Sequence, residues 1–560
     1  MTDTHGRPDA LSNNTPPSLA LNTEQQLEST MAHQTNSIER SPVSKMDFHL
    51  HEDIQGEKNI SSDGEGVIPT LSRHPDTPHS PSTVAAATLI PIQTKVYKRR
   101  FFGLIQLSLL NIIVSWCWLT FSAVSRTSSE FFGVSESDIN WLSTGFLFAF
   151  VIASPAALWV LNHKGCKAAM CVSAVLLVLG AWIRYLGAKL ASSASSSRNP
   201  SRFGIVVLGQ IMIGFAQPFV LSAPTRLSHE WFSERGRITA TALASLCNPL
   251  GGALGQLIGP FIATEPGKVP NMVLYVAIIT TVICIPSFFL PSAPPLPPTI
   301  TPFKDTKITF RILRELFSSL TFHLIAWPFV IYVAAFNSTS SLLNQILEPY
   351  GLTEDQAGID GAVMIVVGLL AAAIASPLLD RFGTRGGSGS GGETNTSRVK
   401  LIVIKILVLI ICASYILFIF VPKSGKLVGP AIISALVGSA SFILLPLALE
   451  LLADTTWPIG PEVSSTICWS ISQLAGGILL ISMTALKGNA GDKKEPDKSM
   501  FRAMILQAII CVAVAPLALC LGYWGTGTSA KDKKDDITST STITSMGMGT
   551  ASRTSEGVAA

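Results

Sequence analysis

The chain has 560 residues, of which 48% are apolar and only 14% are charged, and its formal net charge is +4. Its mean hydropathy of +0.44 is too high for an ordinary soluble domain. The composition therefore excludes a typical soluble enzyme and indicates an integral membrane protein.

Residues 1–96 are rich in Ser, Thr, Pro, Asn and His and contain no long apolar run. Such a segment cannot bury enough apolar surface to fold, so it predicts a disordered cytoplasmic tail. No hydrophobic stretch opens the sequence, and we expect no signal peptide. Residues 526–560 are also polar and low in complexity, which predicts a second disordered cytoplasmic tail.

Between the tails, apolar runs of roughly twenty residues alternate with short polar breaks, and each run is long enough to cross about 30 Å of hydrocarbon as a helix. We predict an all-α membrane protein with about twelve transmembrane helices, numbered here as spans 1–12. The spans are 101–124, 139–161, 168–190, 203–223, 238–263, 271–290, 321–347, 359–379, 399–421, 427–452, 464–486 and 503–524.

Basic residues predict the orientation. The sequence KVYKRR (95–100) precedes span 1, and the loops after the even-numbered spans are richer in Lys and Arg than most of the others. Both termini are then expected in the cytoplasm. The loop 487–498 disagrees, because it carries four lysines on the opposite side. The plasma membrane is favoured as the location, and a vacuolar or lysosome-like membrane is the alternative.

The longest internal break is rich in proline and basic residues and separates the spans six and six. It predicts a half at 97–291, a cytoplasmic linker at 292–320 and a second half at 321–525. This plan resembles the major facilitator superfamily (MFS), in which two six-helix halves surround a site near the bilayer midplane.

The sequence LLDRFGTRGG after span 8 resembles the Asp-Arg-x-Gly-x-Arg signature of that superfamily. The resemblance implies a gating latch made of Asp380, Arg381 and Arg385, with a tight turn at Gly383. The corresponding loop of the first half is VLNHKGCKAA (160–169), which retains the glycine but lacks the Asp-Arg pair.

Span 7 contains the polar block FNSTSSLLNQ (336–345). Polar side chains within a membrane need partners or a wet cavity. The block predicts a locally unwound, cavity-facing part of span 7, and interhelical hydrogen bonding alone is the alternative. In span 5, Gly251, Gly255 and Gly259 recur every four residues, which favours a close helix-packing face.

Several stretches resemble a particular MFS family, the feline leukemia virus subgroup C receptor-related transporters. They are YKRRF, INWLSTGFLFAFV, LGAWIRYLG, AQPFVLSAPTRLSHEWF, LCNPLGGALG and AAFNSTSSLLNQ, and the resemblance covers about 97–520. It implies transport of a small organic solute. Members of the family are associated with choline and ethanolamine, with haem export, and with a vitamin-like amine.

The family's choline site implies a tryptophan wall at Trp118, with Trp116 beside it, and a glutamine contact to the ligand hydroxyl at Gln217. A tyrosine closes the family's cage in the seventh helix, whereas this chain has Asn337 there. An aromatic face attracts a quaternary ammonium group and an amide does not replace it, so this position departs from the family pattern.

Three more residues complete the predicted substrate site: Gln345 in span 7, Glu450 in span 10 and Gln473 in span 11. Glu450 contacts the ligand or a coupled proton in one interpretation, and it reaches water at the cytoplasmic end of span 10 in the other. Arg184 and Lys405 lie closer to the ends of their runs and are expected to extend towards water.

These observations predict a transporter that moves a small organic solute by alternating access, with a choline-like or ethanolamine-like amine favoured. Export of haem or a vitamin-like solute is the alternative within the family, and a non-transporting receptor or nutrient sensor is the alternative outside transport. We expect no catalytic residues, cofactor, metal or nucleic-acid partner, because no such motif is present. The expected partners are the lipid bilayer and the solute, and the expected state is a monomer.

Overall fold

The computed structural model describes residues 95–192, 200–296, 298, 310–384, 392–456, 461–488 and 499–523. The chain divides into Met1–Thr88 and Leu89–Ala560, and the second unit contains all of the described residues. The predictions for the two tails lie outside the described part of the chain, except at Lys95 and Val96.

The described residues form α-helices joined by short turns. Span 1 is Arg100–Leu119, spans 2 and 3 are the two arms of Glu136–Ser192, span 4 is Pro200–Leu221, span 5 is Glu234–Ile262, span 6 is Val269–Cys284, span 7 is Leu320–Leu347, span 8 is Glu354–Thr384, span 9 is Gly392–Phe418, span 10 is Val428–Thr455, span 11 is Pro461–Ala485 and span 12 is Phe501–Leu519. Short helices connect some of them, at Ser125–Phe132, Ala223–Trp231 and Phe310–Ser318.

Ten helices of the described residues are long and apolar enough to cross a membrane. One of the ten is Glu136–Ser192, whose 57 residues include both span 2 and span 3. Span 5 is not among the ten, but its 29 residues reach about 44 Å as a helix. All twelve predicted runs are therefore helical, and the predicted fold class is confirmed.

The turn between spans 2 and 3 lies at Gly165, which has φ 81° and ψ 178°. A side chain is strained at this φ, whereas glycine adopts it readily. Gly165 is the glycine that the first-half loop shares with the superfamily signature, so the local sequence accounts for the sharp bend.

The second half differs, because span 8 continues as a helix through Gly383 and ends at Thr384. The tight turn predicted at Gly383 is therefore wrong in position. The side chains of Asp380 and Arg381 and the whole of Arg385 lie outside the described residues. The latch that these residues would form stays a prediction.

Buried apolar side chains form separate clusters in the two halves. One cluster contains residues of spans 7–12, from Leu316 to Leu521, and two others contain residues of spans 1–6. A small cluster at Ala253, Ile365, Ala372 and Phe442 joins span 5 to spans 8 and 10. Each half therefore has its own core, and span 5 contacts the opposite half.

The polar block of span 7 is a regular part of the helix Leu320–Leu347, so the predicted unwinding is wrong. Several of its side chains bond to neighbouring helices, whereas the hydroxyls of Ser340 and Ser341 have no hydrogen-bond partner among the described residues. Ser338 donates to the carbonyl of Gly476 at 3.2 Å, and Thr339 accepts from Gln507 of span 12 at 2.6 Å. Partners on adjacent helices satisfy these polar atoms, which removes the need to expose backbone.

The glycine stripe of span 5 packs against span 1. A Cβ atom at Gly251 would lie 1.9 Å from the carbonyl oxygen of Ile112, and one at Gly255 would lie 3.0 Å from that of Trp116. At Gly259 the nearest atoms, the Cβ of Ala123 and the carbonyl oxygen of Thr120, would both be 3.6 Å away. The space between spans 1 and 5 thus widens from Gly251 to Gly259. The glycine stripe forms a helix-packing face, as its spacing predicted.

This gradient predicts the order of three alanine substitutions. Gly251→Ala should destabilise the protein most, Gly255→Ala less, and Gly259→Ala least, because the distance from the added methyl group to the nearest carbonyl oxygen rises from 1.9 to 3.0 to 3.6 Å. Overpacking of this kind costs about 1–3 kcal/mol. Thermal unfolding of the three variants in the same detergent measures the order, and equal midpoints would contradict the described packing.

Candidate functional site

Loops that follow odd-numbered spans share one membrane side, called the odd-loop side. Loops that follow even-numbered spans share the other, called the even-loop side, which includes the linker.

The two halves meet on the odd-loop side around Glu354, the first residue of span 8. Its carboxylate accepts from the backbone N–H groups of Arg126 and Thr127, at 3.0 and 3.3 Å, and from the Thr127 hydroxyl at 2.5 Å. The Asn344 amide donates to it at 2.9 Å and also reaches Ser125.

A second group of contacts lies on the same side. Gln345 of span 7 and Asn140 of span 2 exchange two amide hydrogen bonds, of 2.7 and 3.3 Å. Lys487, just after span 11, lies 2.7 Å from the buried carboxylate of Glu136 and 3.2 Å from Gln345. These bonds connect the first half to the second, so the odd-loop side of the protein is closed.

A cavity of about 140 Å³ lies between the halves. Several of its lining residues lie near the even-loop ends of their spans: Leu221, Leu324, Leu451 and Leu521. A hydrogen bond of 3.1 Å between Thr466 and Ser222 also joins the halves near this side. The cavity therefore extends from the closed odd-loop side towards the even-loop side.

Four of the predicted substrate residues line this one cavity: Trp118, Gln217, Asn337 and Gln473. They come from spans 1, 4, 7 and 11, which the fold brings together. Asn337 donates to the Gln473 amide oxygen at 2.9 Å. Trp118 stacks on Phe146 with ring centroids 5.8 Å apart, which fixes the plane of the indole.

Three polar atoms of cavity-lining residues have no hydrogen-bond partner: the indole N–H of Trp118, the amide oxygen of Gln217 and the hydroxyl of Ser441. An unpaired buried polar atom costs free energy, so such atoms are candidates for ligand contacts. The Trp118 indole offers a hydrogen-bond donor and the Gln217 amide oxygen offers an acceptor. The Ser441 hydroxyl can donate or accept. Together they suit a solute that carries both kinds of polar group.

Apart from Ser115, Ser245 and Asn248, the rest of the wall is apolar and aromatic. The aromatic lining residues other than Trp118 are Phe329, Tyr332, Phe336, Phe442 and Trp469. Among the described residues that line the cavity, none is acidic or basic. The wall therefore offers ring faces and neutral dipoles, rather than a countercharge, to whatever enters.

The structure does not bring the other three predicted substrate residues into the cavity. Trp116 is half-buried, and its backbone faces Gly255 of span 5. Gln345 belongs to the contacts that close the odd-loop side. Glu450 is 52% exposed and lies 2.6 Å from Lys400, so it reaches water at the even-loop end of span 10, as its second interpretation stated.

Arg184 differs from its prediction, because it is completely buried instead of extending to water. Its guanidinium donates to the carbonyl of Cys117 at 2.8 Å and to Gln210 of span 4 at 2.7 Å. Gln210 in turn donates to the carbonyl of Trp118 at 3.3 Å. Arg184 and Gln210 thus hold the end of span 1 that carries Trp118. The position of Arg184 within its apolar run did not predict this role.

Comparison with known proteins gives the family. Residues 100–467 match the model described as the Major Facilitator Superfamily. The chain belongs to the Major Facilitator Superfamily. Among curated relatives, Solute carrier family 49 member A3 of Danio rerio is 29% identical over 397 residues, which are 70% of this chain and 79% of that protein.

The Choline/ethanolamine transporter FLVCR1 of Felis catus is 25% identical over 458 residues, which are 76% of this chain and 77% of that protein. The human Choline/ethanolamine transporter FLVCR2 is 25% identical over 414 residues, 71% of this chain and 74% of that protein. The expected resemblance to this transporter family is confirmed.

Solved structures of the superfamily share the fold. The crystal structure of a D-xylose-proton symporter superposes with a TM-score of 0.57 at 14% identity, covering 77% of this chain and 99% of that one. A nucleoside transporter NupG gives a TM-score of 0.52 at 13% identity, with coverages of 75% and 98%. At these identities the likeness concerns the fold alone.

The contacts of Glu354 predict the effect of removing its carboxylate. Glu354→Ala deprives the backbone N–H groups of Arg126 and Thr127 of their acceptor, so 125–132 and 340–350 should exchange amide hydrogen faster. Hydrogen exchange measured by mass spectrometry tests this. Asp355→Ala is the matched control, because Asp355 is the next residue and is exposed. Equal exchange in the two variants would show that Glu354 does not hold this side closed.

Proposed function

We propose that this protein carries a small organic amine of the choline or ethanolamine class across a membrane by alternating access. The observation that supports this most directly is the cavity between the halves, closed on the odd-loop side and lined by Trp118, Gln217, Asn337 and Gln473. The relatives named as choline/ethanolamine transporters support the same class of substrate.

An amine fits the chemistry of the wall. A compact cation is attracted by aromatic faces and needs no carboxylate when it is desolvated among them. The ring of Trp118 supplies such a face, and the amide oxygen of Gln217 accepts from a solute hydroxyl or N–H group. Haem fits less well, because its two propionates would meet no cation among the described lining residues.

Replacing Trp118 tests the aromatic wall. Trp118→Ala should reduce uptake of labelled choline and ethanolamine by about tenfold or more, the equivalent of losing one desolvated cation–π contact. Uptake into cells that express the protein, normalised to the amount at the cell surface, is the measurement.

Trp116→Ala is the matched control, since it removes the same side chain two residues away but outside the cavity. Its uptake should stay near that of the unaltered protein. If both variants, or neither, lost uptake, the aromatic wall would not be at Trp118. If the unaltered protein took up neither amine while present at the surface, the proposed substrate class would be wrong.

Asn337 should determine how well a quaternary ammonium group is held. Asn337→Tyr adds a ring to the wall opposite Trp118 and should raise choline uptake relative to ethanolamine by roughly 2- to 30-fold, which corresponds to about 0.5–2 kcal/mol. Asn337→Leu is the control, because it also removes the hydrogen bond to Gln473 but adds no ring. Competition between the two labelled amines measures the ratio, and the same ratio in both variants would exclude a role for the ring.

A further inference from the structure

Asp360 is a buried acid that the proposed transport site does not use. It lies in span 8, six residues after Glu354, so it is about 9 Å inside the odd-loop end of the helix. Its side chain is completely buried. One carboxyl oxygen accepts from the hydroxyl of Ser434 in span 10 at 2.9 Å, and the other oxygen has no partner.

The surroundings of Asp360 leave little space for water, because spans 8 and 10 are in close contact. One turn further along both helices, a Cβ atom at Gly438 would lie 1.7 Å from the carbonyl oxygen of Met364. The next contact pairs Gly368 with Phe442. The carboxyl group therefore lies at the end of a tightly packed helix interface.

Among the described residues, no cation forms an ion pair with this acid. On span 10, the titratable residue nearest in sequence to Ser434 is Glu450, at the far end of the helix. On span 5, the titratable residue nearest in sequence to Gln256 is Cys247. The described titratable side chains of span 9 are Lys400, Lys405, Cys412 and Tyr415. Lys400 pairs with Glu450, Lys405 faces the ring of Tyr523, and Cys412 contacts Tyr332 of span 7.

Other described titratable groups on or beside spans 7 and 8 are exposed or engaged elsewhere. On its own helix Glu354 bonds to Thr127, and Asp355 is exposed. His323 lies at the even-loop end of span 7, where it bonds to the carbonyl of Phe317. Glu348 at the odd-loop end of span 7 pairs with Arg126. Asp360 is thus left with Ser434 as its hydrogen-bond partner.

A charged carboxylate in such a place would carry a large desolvation cost with one hydrogen bond to offset it, so the neutral acid is the stable form here. We propose that Asp360 is a proton-binding site and that its protonation couples solute movement to protons. The proton comes from the aqueous phase and converts the carboxylate to the carboxylic acid. The coupling rests on the proposed transport function, whereas the proton-binding site does not.

Asp360 lies beside a contact between the two halves of the protein. Gly358 and Gly361, on either side of it, contact Gln256 of span 5 in the opposite half. Opening of the odd-loop side separates these helices and hydrates this end of span 8. Ser441 and Phe442, two turns along span 10 from Ser434, line the cavity. The charged form of Asp360 is therefore compatible with the open odd-loop side and the neutral form with the closed one.

Two measurements on the full-length protein in lipid vesicles test the proposal. Infrared difference spectroscopy on changing the pH should show the carbonyl band of a protonated carboxylic acid. The component of this band from an acid shielded from water, which absorbs at higher frequency than that of exposed acids, should be lost in Asp360→Asn and kept in Asp355→Asn, the matched exposed acid on the same helix. Asparagine is close in shape to a neutral Asp and can still accept from Ser434, so the variant should fold.

The second measurement is flux of labelled choline and ethanolamine with and without a pH gradient. One proton per solute sustains at most about a tenfold solute gradient for each pH unit. We expect the unaltered protein and Asp355→Asn to respond to the pH gradient. Asp360→Asn should carry solute at equal pH on both sides but ignore the gradient.

A pH response that persists in Asp360→Asn, or that is missing from the unaltered protein while it carries solute, overturns the coupling. If the high-frequency component of the carbonyl band survives in Asp360→Asn, the proton-binding site is not Asp360. If no amine moves under any condition, the substrate class proposed above fails, and the infrared band still decides whether Asp360 binds a proton.

Discussion

Hydrocarbon offers no hydrogen-bond partners, so the polar side chains that span 7 carries into the membrane are stabilised where they find partners inside the protein. This constraint explains the arrangement of the two halves. Asn344 and Gln345 reach the first half, whereas Ser338 and Thr339 reach spans 11 and 12. One regular helix therefore holds its own half together and closes the odd-loop side against the other half.

The polar atoms of the interface divide into those with partners and those without. On the odd-loop side, Glu354 and Gln345 have several partners each, which stabilises closure. In the cavity, Trp118 and Gln217 retain unpaired atoms, and their backbone or ring positions are fixed by packing. Unpaired atoms on a fixed wall favour a ligand that supplies the missing partners, because little ordering is needed when it binds.

Much of this could be predicted from the sequence, because run length determines the spans and the glycine period determines the packing of span 5 on span 1. Spacing could not show which polar residues find partners. Arg184 is buried because Gln210 of another span lies beside it, and span 7 stays helical because its neighbours offer partners. The burial of Asp360 could not be predicted, because the predicted run begins at 359 and places this acid at the end of the span. The helix begins at Glu354, so Asp360 lies further inside.

The backbone contact at Gly251 has a mechanical consequence. With no side chain between them at this position, the backbones of spans 1 and 5 are in direct contact within the first half, so Trp118 moves together with span 5. Asn337 travels with span 11, to which span 7 is bonded through Ser338 and Gly476. A solute between Trp118 and Asn337 thus contacts both halves at once. Its contacts form and break as the two halves move relative to each other.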